Sequence, residues 1–431
     1  MLPRATVRTT MKTSRFFLSL AMTSFASLFL AIPAHADISV GSDGSDGTLV
    51  VSSSLIIDLS AATTATWDTP SPVPGKGVYD PLQWAVVFKY DSIYVAPGMT
   101  VAFTNHATRA PVVWLVRRGV RIDGVVSLSG SNGSPSGVPA TPGPGGFRGG
   151  KSYTDLSGGG GAGMGPGGGQ FGNAIAGGGG GYGSNGFATG PAPGGSAYGS
   201  PQIVPLIGGS GGGGSSINSS TYGGGGGAGG GALLVACGRT LTLQGYIVAD
   251  GGLGSFGGGG SGGAIRMVAD QLAGPGTLYA QGGNSDYGGK GGVGRIRLET
   301  NGTSFSGGSI PVYSLHLPVG PTPTIWPQTA SPRVAISSVA GNAVPADPNG
   351  NLFGGDIQIS SATSVPVTIS AANVPANATM ILRAVLVSGG LAVTVNATLA
   401  SGDQNASTWT ATLPAVANNG YTLLQARVTL P

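Results

Sequence analysis

ALLVACGRTLTLQGYIVADGG (Ala232–Gly252) is followed, after a glycine run, by AIRMVADQLAGPGTLYAQGG (Ala264–Gly283). In both, a short apolar segment passes through a polar break into a second segment introduced by glycine, and a burst of glycine closes the phrase. Matching positions lie 32 residues apart at Ala232 and Ala264 and 31 apart at Gly245 and Gly276, so one residue is lost between the two segments. The phrase also occurs upstream as APVVWLVRRGVRIDGVVSLSG (Ala110–Gly130) and, truncated, downstream as GRIRLET (Gly294–Thr300). A unit of this size cannot bury an apolar face alone, and stacked copies share one continuous core. The segments alternate β-branched and polar residues with a period of two and carry no helical spacing. This predicts an all-β chain whose residues 37–311 form a parallel right-handed β-solenoid. Upstream, TLVVSSSLIIDLS, WAVVFKY and SIYVAPGMTVAFTN read as further short strands, and SIYVAPGMTVAF followed by VRIDGVVSLSG reads as successive rungs.

Of the 83 glycines, 63 lie between Gly130 and Gly294, and residues 131–231 form one glycine-rich insertion between the first and second copies. Two readings are open. Glycine loses much backbone entropy on ordering and has no side chain to bury, which favours a flexible tether. Alternatively, the runs fold as polyglycine II helices, extended at three residues per turn and packed closely because no Cβ intervenes. Four runs of similar length, and the rarity of such a long structureless loop inside a solenoid, favour the second. Tyr182, Phe187, Tyr198 and Tyr222 would then cap or cover the layer.

Glycine becomes sparse after about Val312. A Pro-rich linker, residues 312–332, leads into residues 333–431, where RVAISSV, DIQISS, VPVTISA, TMILRAVLV, LAVTVNATLA, STWTATLP and YTLLQARVTLP read as seven strands. This spacing predicts an immunoglobulin-like β-sandwich without the bridging cysteine pair, with Trp409 as a core aromatic.

Residues 1–36 place Arg4, Arg8, Lys12 and Arg15 before an apolar stretch ending in Ala34-His35-Ala36, the pattern of a secretory signal cleaved after Ala36. Its removal takes four of the 20 basic residues and none of the 16 acidic ones, leaving 16 of each. The electrostatic case for nucleic acid or an anionic membrane is thereby lost, and no membrane span is expected in the mature chain. A charged fraction of only 8% instead favours self-association. Cys237 is the single cysteine, so no intrachain disulfide forms, and mid-strand it reads as a small buried apolar side chain.

The chain is poor in reactive groups. Outside residues 1–36 the histidines are His106 and His316, in different segments and without acids or cysteine at ligand spacing, which argues against a zinc site or a Ser-His-Asp triad. His106 reads as a solvated turn residue. Glu299 is the only glutamate, and Asp123, Asp250 and Asp270 fall at non-equivalent repeat positions, as turn residues do. No metal, cofactor or catalytic residue is expected. Arg266 and Arg297 occupy aligned positions, with Arg295 beside them. They read either as a solvated strand face or as a cationic strip for anionic glycans.

The rung sequences APVVWLVRRGVRIDGVVSLSG and GSGGAIRMVADQLAGPGTLYAQGG resemble those of glycine-rich secreted proteins of environmental Gram-negative bacteria with pectate-lyase-like solenoid rungs. The glycine tracts are similar to the polyglycine II layers of phage tail-fibre adhesins and of a receptor tyrosine kinase's ligand-binding region. The resemblance implies a β-helix with glycine-rich excursions and a surface or binding role, and it carries no active site onto these positions. The expected function is that of a secreted, non-catalytic structural or adhesive protein of the cell surface or matrix, with glycans, cell-surface components or further copies of the chain as partners. A lyase-like enzyme and a glycan-binding module are the alternatives.

Overall fold

The computed structural model describes residues 37–152, 160–173, 176–216, 223–348, 355–359, 364–386, 389–414 and 422–431. The proposed signal, residues 1–36, and Tyr222 lie outside the described residues. Among the described residues the protein is all-β, with two large parallel sheets, a two-stranded parallel pair of Gly172–Asn173 with Ser215–Ser216, and one curled antiparallel sheet.

The aligned phrases pair as their spacing predicts. In the long sheet, Ala232–Leu243 lies parallel to Ala264–Gly274 with Ala232 opposite Ala264, and Ala264–Gly274 lies parallel to Arg295–Phe305 with Arg266 opposite Arg297. On the other side, Ala232–Leu243 meets Val112–Val116 and Val120–Ile122, which in turn meet Ala85–Val95. The second segments build the narrower sheet: Leu55–Asp58, Thr100–Thr104, Val125–Ser127, Tyr246–Val248, Thr277–Tyr279 and Ser309–Ile310, all parallel. Tyr246 opposite Thr277 reproduces the 31-residue offset. One antiparallel contact breaks the rule, where Val78–Asp80 pairs with the start of Ala85–Val95.

Alternation sorts the side chains. Leu233, Val235, Cys237, Leu241 and Leu243 join Ile265, Met267, Ile247 and Leu278 in the core shared by the two sheets. The intervening Leu234, Ala236 and Val268 face the other way, against Ile38, Val40, Leu206, Ile325 and Trp326. The first half of Ala232–Leu243 is therefore buried on both faces, which explains its near-continuous apolar run. At roughly 1.5–3 kcal/mol per fully buried Val, Leu or Ile, this ladder supplies the cohesion that a disulfide supplies elsewhere. The Pro-rich stretch follows the long sheet: Ser314–His316 pairs with Arg297–Glu299, the Val319 N–H donates to the Thr300 carbonyl (3.0 Å), and Trp326 packs on Trp67 at 5.4 Å.

Within the described residues the glycine runs are buried almost throughout. Their backbone bonding has a period of three. In the tract preceding Ala232, Gly226 and Gly229 donate to Gly150 and Phe147, Gly227 and Gly230 to Gly258 and Ser261, and Ala228 and Gly231 to Ser131 and Leu128. In the next tract, Gly258 and Ser261 donate to Gly213 and Ser210, Gly259 and Gly262 to Gly289 and Gly292, and Gly260 and Gly263 to Gly252 and Ala249. Each tract thus presents three edges, each bonded to a different neighbour, so the insertion interleaves with the loops that close each repeat. A methyl group on Gly258 would run into the Gly178 carbonyl, and one on Gly212 into the Gly258 carbonyl. Only glycine allows backbones to approach so closely on every side.

The C-terminal sheet is antiparallel, and Val393–Gly402 pairs along its length first with Thr379–Leu386 and then with Ser407–Leu413, which curls the sheet around a core of Val367, Ile369, Met380, Leu382 and Trp409. Trp409 takes the expected core position. The DIQISS segment forms no strand within its described part, residues 356–359. This sheet meets the glycine layer through Val385, which packs with Phe147, Ala162 and Met164, and through Arg383.

Candidate functional site

The three arginines singled out in the sequence share one face of the long sheet, but that face is covered. Arg266 is 2% exposed; its Nε and Nη2 donate to the two Glu299 carboxylate oxygens at 2.9 and 3.2 Å, and its other donors reach the Thr324 and Ile325 carbonyls of the Pro-rich stretch. Arg297 Nε donates to Glu299 Oε1 at 2.7 Å. Burial alone would raise the Glu299 carboxyl, but hydrogen bonds and charge from Arg266, then Arg297, outweigh it and hold the carboxyl below the usual range. Arg295 donates to the Tyr198 carbonyl and lies 5.5 Å from the Tyr182 ring. Arg266 and Arg297, read from the sequence as either a solvated face or a cationic strip, gather around Glu299 in an internal ion cluster, and Arg295 is held separately beside Tyr182 and Tyr198. The sequence put the arginines in register but gave no sign of what covers them.

Tyr182 and Tyr198, expected over the glycine layer, are buried against it with rings 4.9 Å apart; Tyr198 Oη donates to the Gly208 carbonyl, whereas Phe187 stays 62% exposed. Cys237 is buried, its thiol donates to the Arg118 carbonyl at 2.9 Å, and burial pushes its pKa up to about 12. His106 is half-buried rather than solvated. Its ring stacks on Tyr79 at 4.1 Å and its Nδ1 lies 2.8 Å from Thr108 Oγ1, while Tyr79 Oη donates to Asp347 at 2.7 Å. Burial holds the imidazole below its usual pKa, Asp347 opposing. Asp250 accepts from the Gln281 N–H and Asp270 from Asn301 Nδ2, and no carboxylate ladder forms from them.

Beside His106 opens a pocket of about 530 Å³, where the turn after Thr100–Thr104 meets the first residues of the glycine layer. Asn105, Arg109, Ser129, Ser131, Thr141 and Arg148 contribute to its polar lining, and among the described residues neither Asp nor Glu takes part. Arg109 has a left-handed backbone (φ 57°), its carbonyl accepts from the Gly145 N–H, and its guanidinium lies 5.3 Å from the Phe147 ring. Burial, and then the charge of Arg148, pull the Arg109 pKa down to about 10. Neither arginine stands out in the sequence, since Arg109 precedes a repeat and Arg148 sits inside a glycine run.

Among the described residues, no group of three or more His, Cys, Asp or Glu side chains could hold a metal ion, and no helix is long and apolar enough to cross a membrane. Comparisons with family models, with curated proteins and with solved structures find no match to this chain.

Proposed function

We propose that this is a secreted structural or adhesive protein, in which the two parallel sheets form a β-solenoid, the glycine tracts form a polyglycine II slab on it, and the C-terminal sheet folds as an immunoglobulin-like sandwich docked against the slab. The observation that carries the reading is the period-three bonding of the tracts, which matches an extended helix of three residues per turn bonded on three sides. A layer of this kind commits about a hundred residues to a rigid body almost without functional groups, which suits presentation of a surface better than chemistry. The contact points it offers are apolar and aromatic: Phe256 and Tyr287 stack in parallel at 4.8 Å, and both are exposed, as is Leu253. Secretion rests on the signal-like pattern of residues 1–36. A lyase-like reading has less support, because the Arg266 and Arg297 charges are already met by Glu299.

Amide hydrogen exchange across residues 131–231 tests the slab. Strong protection is expected, and exchange at unfolded-chain rates would remove the rigid surface from the proposal. Adhesion is tested separately, by retention of the purified mature protein on immobilised polysaccharides and bacterial cells. A Phe256→Ser/Tyr287→Ser variant should be retained less than the parent, and parent retention no greater than that of an inert control protein would overturn the adhesive role.

A further inference from the structure

A second pocket, of about 530 Å³, opens where the Pro-rich stretch passes residues 39–41 and Trp67. Two of its walls are Trp67 and Trp326, whose rings lie 5.4 Å apart at 50°, and each indole is only half-buried. Pro323 and Pro327 flank Trp326, and Val40 and Ile325 line the pocket from the core side. Among the described residues no Asp, Glu, Lys, Arg or His takes part in the lining. Its polar groups are Gln328 and the hydroxyls of Ser39, Thr322, Thr324 and Thr329. These four residues are exposed, and their hydroxyls form no hydrogen bond within the protein, which leaves them free for a ligand.

The walls are fixed from behind. The Trp67 N–H donates to Oδ2 of buried Asp80 at 2.9 Å. Next to Trp326, the carbonyls of Thr324 and Ile325 accept from Arg266, whose charge Glu299 meets. The Ser39 N–H donates to the Pro321 carbonyl at 2.8 Å and ties the two sides together. A site held in place before its ligand arrives loses less free energy on ordering. The chemistry of the lining selects the ligand. An indole face is electron-rich but uncharged, and it complements the apolar, weakly positive C–H face of a pyranose ring. A charged ligand would lose its hydration here without gaining a counter-charge. The volume is within the range of small-molecule sites. We propose that this pocket binds a neutral hexopyranose unit of a glycan, its C–H face against Trp67 and Trp326 and its hydroxyls on Ser39, Thr322, Thr324 and Thr329. The site shares no residue with the glycine tracts or with Phe256 and Tyr287, so it stands or falls apart from the adhesive role.

Isothermal titration of the purified protein with cellotriose, mannotriose, galactotriose and chitotriose, beside trigalacturonate and choline as charged probes, tests this. At least one neutral trisaccharide should bind saturably and more tightly than either charged probe. Trp326→Ala should weaken that binding at least tenfold, while Phe256→Ser/Tyr287→Ser should leave it unchanged. Should Trp326→Ala fail to fold, the parent protein still provides a readout. The bound sugar should protect Trp67 and Trp326 from N-bromosuccinimide but not Trp84, whose indole N–H is held by the Thr108 carbonyl, as followed by peptide mass spectrometry. Four results would overturn the assignment: no saturable binding of any neutral trisaccharide, a charged probe bound at least as tightly, sugar binding lost with Phe256 and Tyr287, or sugar binding that neither depends on nor protects the two tryptophans.

Discussion

Arg383 and Cys237 are both stabilised by backbone carbonyls rather than by charged partners. Arg383 projects from Thr379–Leu386 into the glycine layer and donates to three carbonyls, and burial pulls its pKa down to about 10. Arg383→Met keeps much of the apolar stem but strands those carbonyls, so a loss of about 2–4 kcal/mol is expected in denaturant unfolding. A wild-type-like midpoint would mean that water replaces the guanidinium at no cost. The Cys237 thiol, buried and with its pKa raised, should not react with a disulfide reagent at pH 8 in the folded protein and should react fully once unfolded. At this scale the sequence was legible for side chains whose role follows from type and position, such as Cys237 and Trp409. It was opaque for arginines, because a guanidinium's partner depends on which distant segment covers it. Arg266 meets residues 58 and 59 positions away, and Arg383 meets carbonyls more than 200 positions away.

The parallel strands and the glycine tracts are elements with different tolerances. Gly258→Ala drives a methyl into the Gly178 carbonyl, and about 3 kcal/mol of destabilisation is expected, whereas Gly308→Ala meets only the Thr277 methyl at 3.9 Å and should be close to neutral. Equal midpoints for the two variants would contradict the packed layer. The parallel strand pair Ala264–Gly274 and Arg295–Phe305 carries the Glu299 cluster, and Glu299→Gln leaves Arg266 buried without its counter-charge, at a cost of about 3–5 kcal/mol. Because the folded carboxyl titrates below its ordinary value of 4.5, the wild-type advantage is full above that pH. It falls away as the pH drops through the lowered pKa, so stability curves of wild type and Glu299→Gln should converge in acid. Strand pairing was readable from the 31- and 32-residue offsets because parallel strands repeat one register. The order of the glycine tracts was not, since a run of one residue type carries no mark of which neighbour each N–H will find.

Across the described residues, parallel sheets, glycine tracts and C-terminal sheet share hydrogen bonds and packing: Gly231 donates to Leu128, just after the strand Val125–Ser127, and Gly390 donates to Gly160 in the glycine tracts. Protection in the glycine layer should therefore be lost in the same cooperative step as protection of Ala232–Leu243. A layer that exchanges well before the strands would show that it folds as a separate, weaker unit. The three-edged bonding of the tracts also sets a rule for how this gene can change length. Removing one glycine from a tract turns every later N–H toward the wrong neighbour, and removing two does the same. Removing three returns each donor to its own edge, one turn shorter. Such a tract has a reading frame of its own, written in residues rather than nucleotides, and viable insertions and deletions within it should come in steps of nine bases.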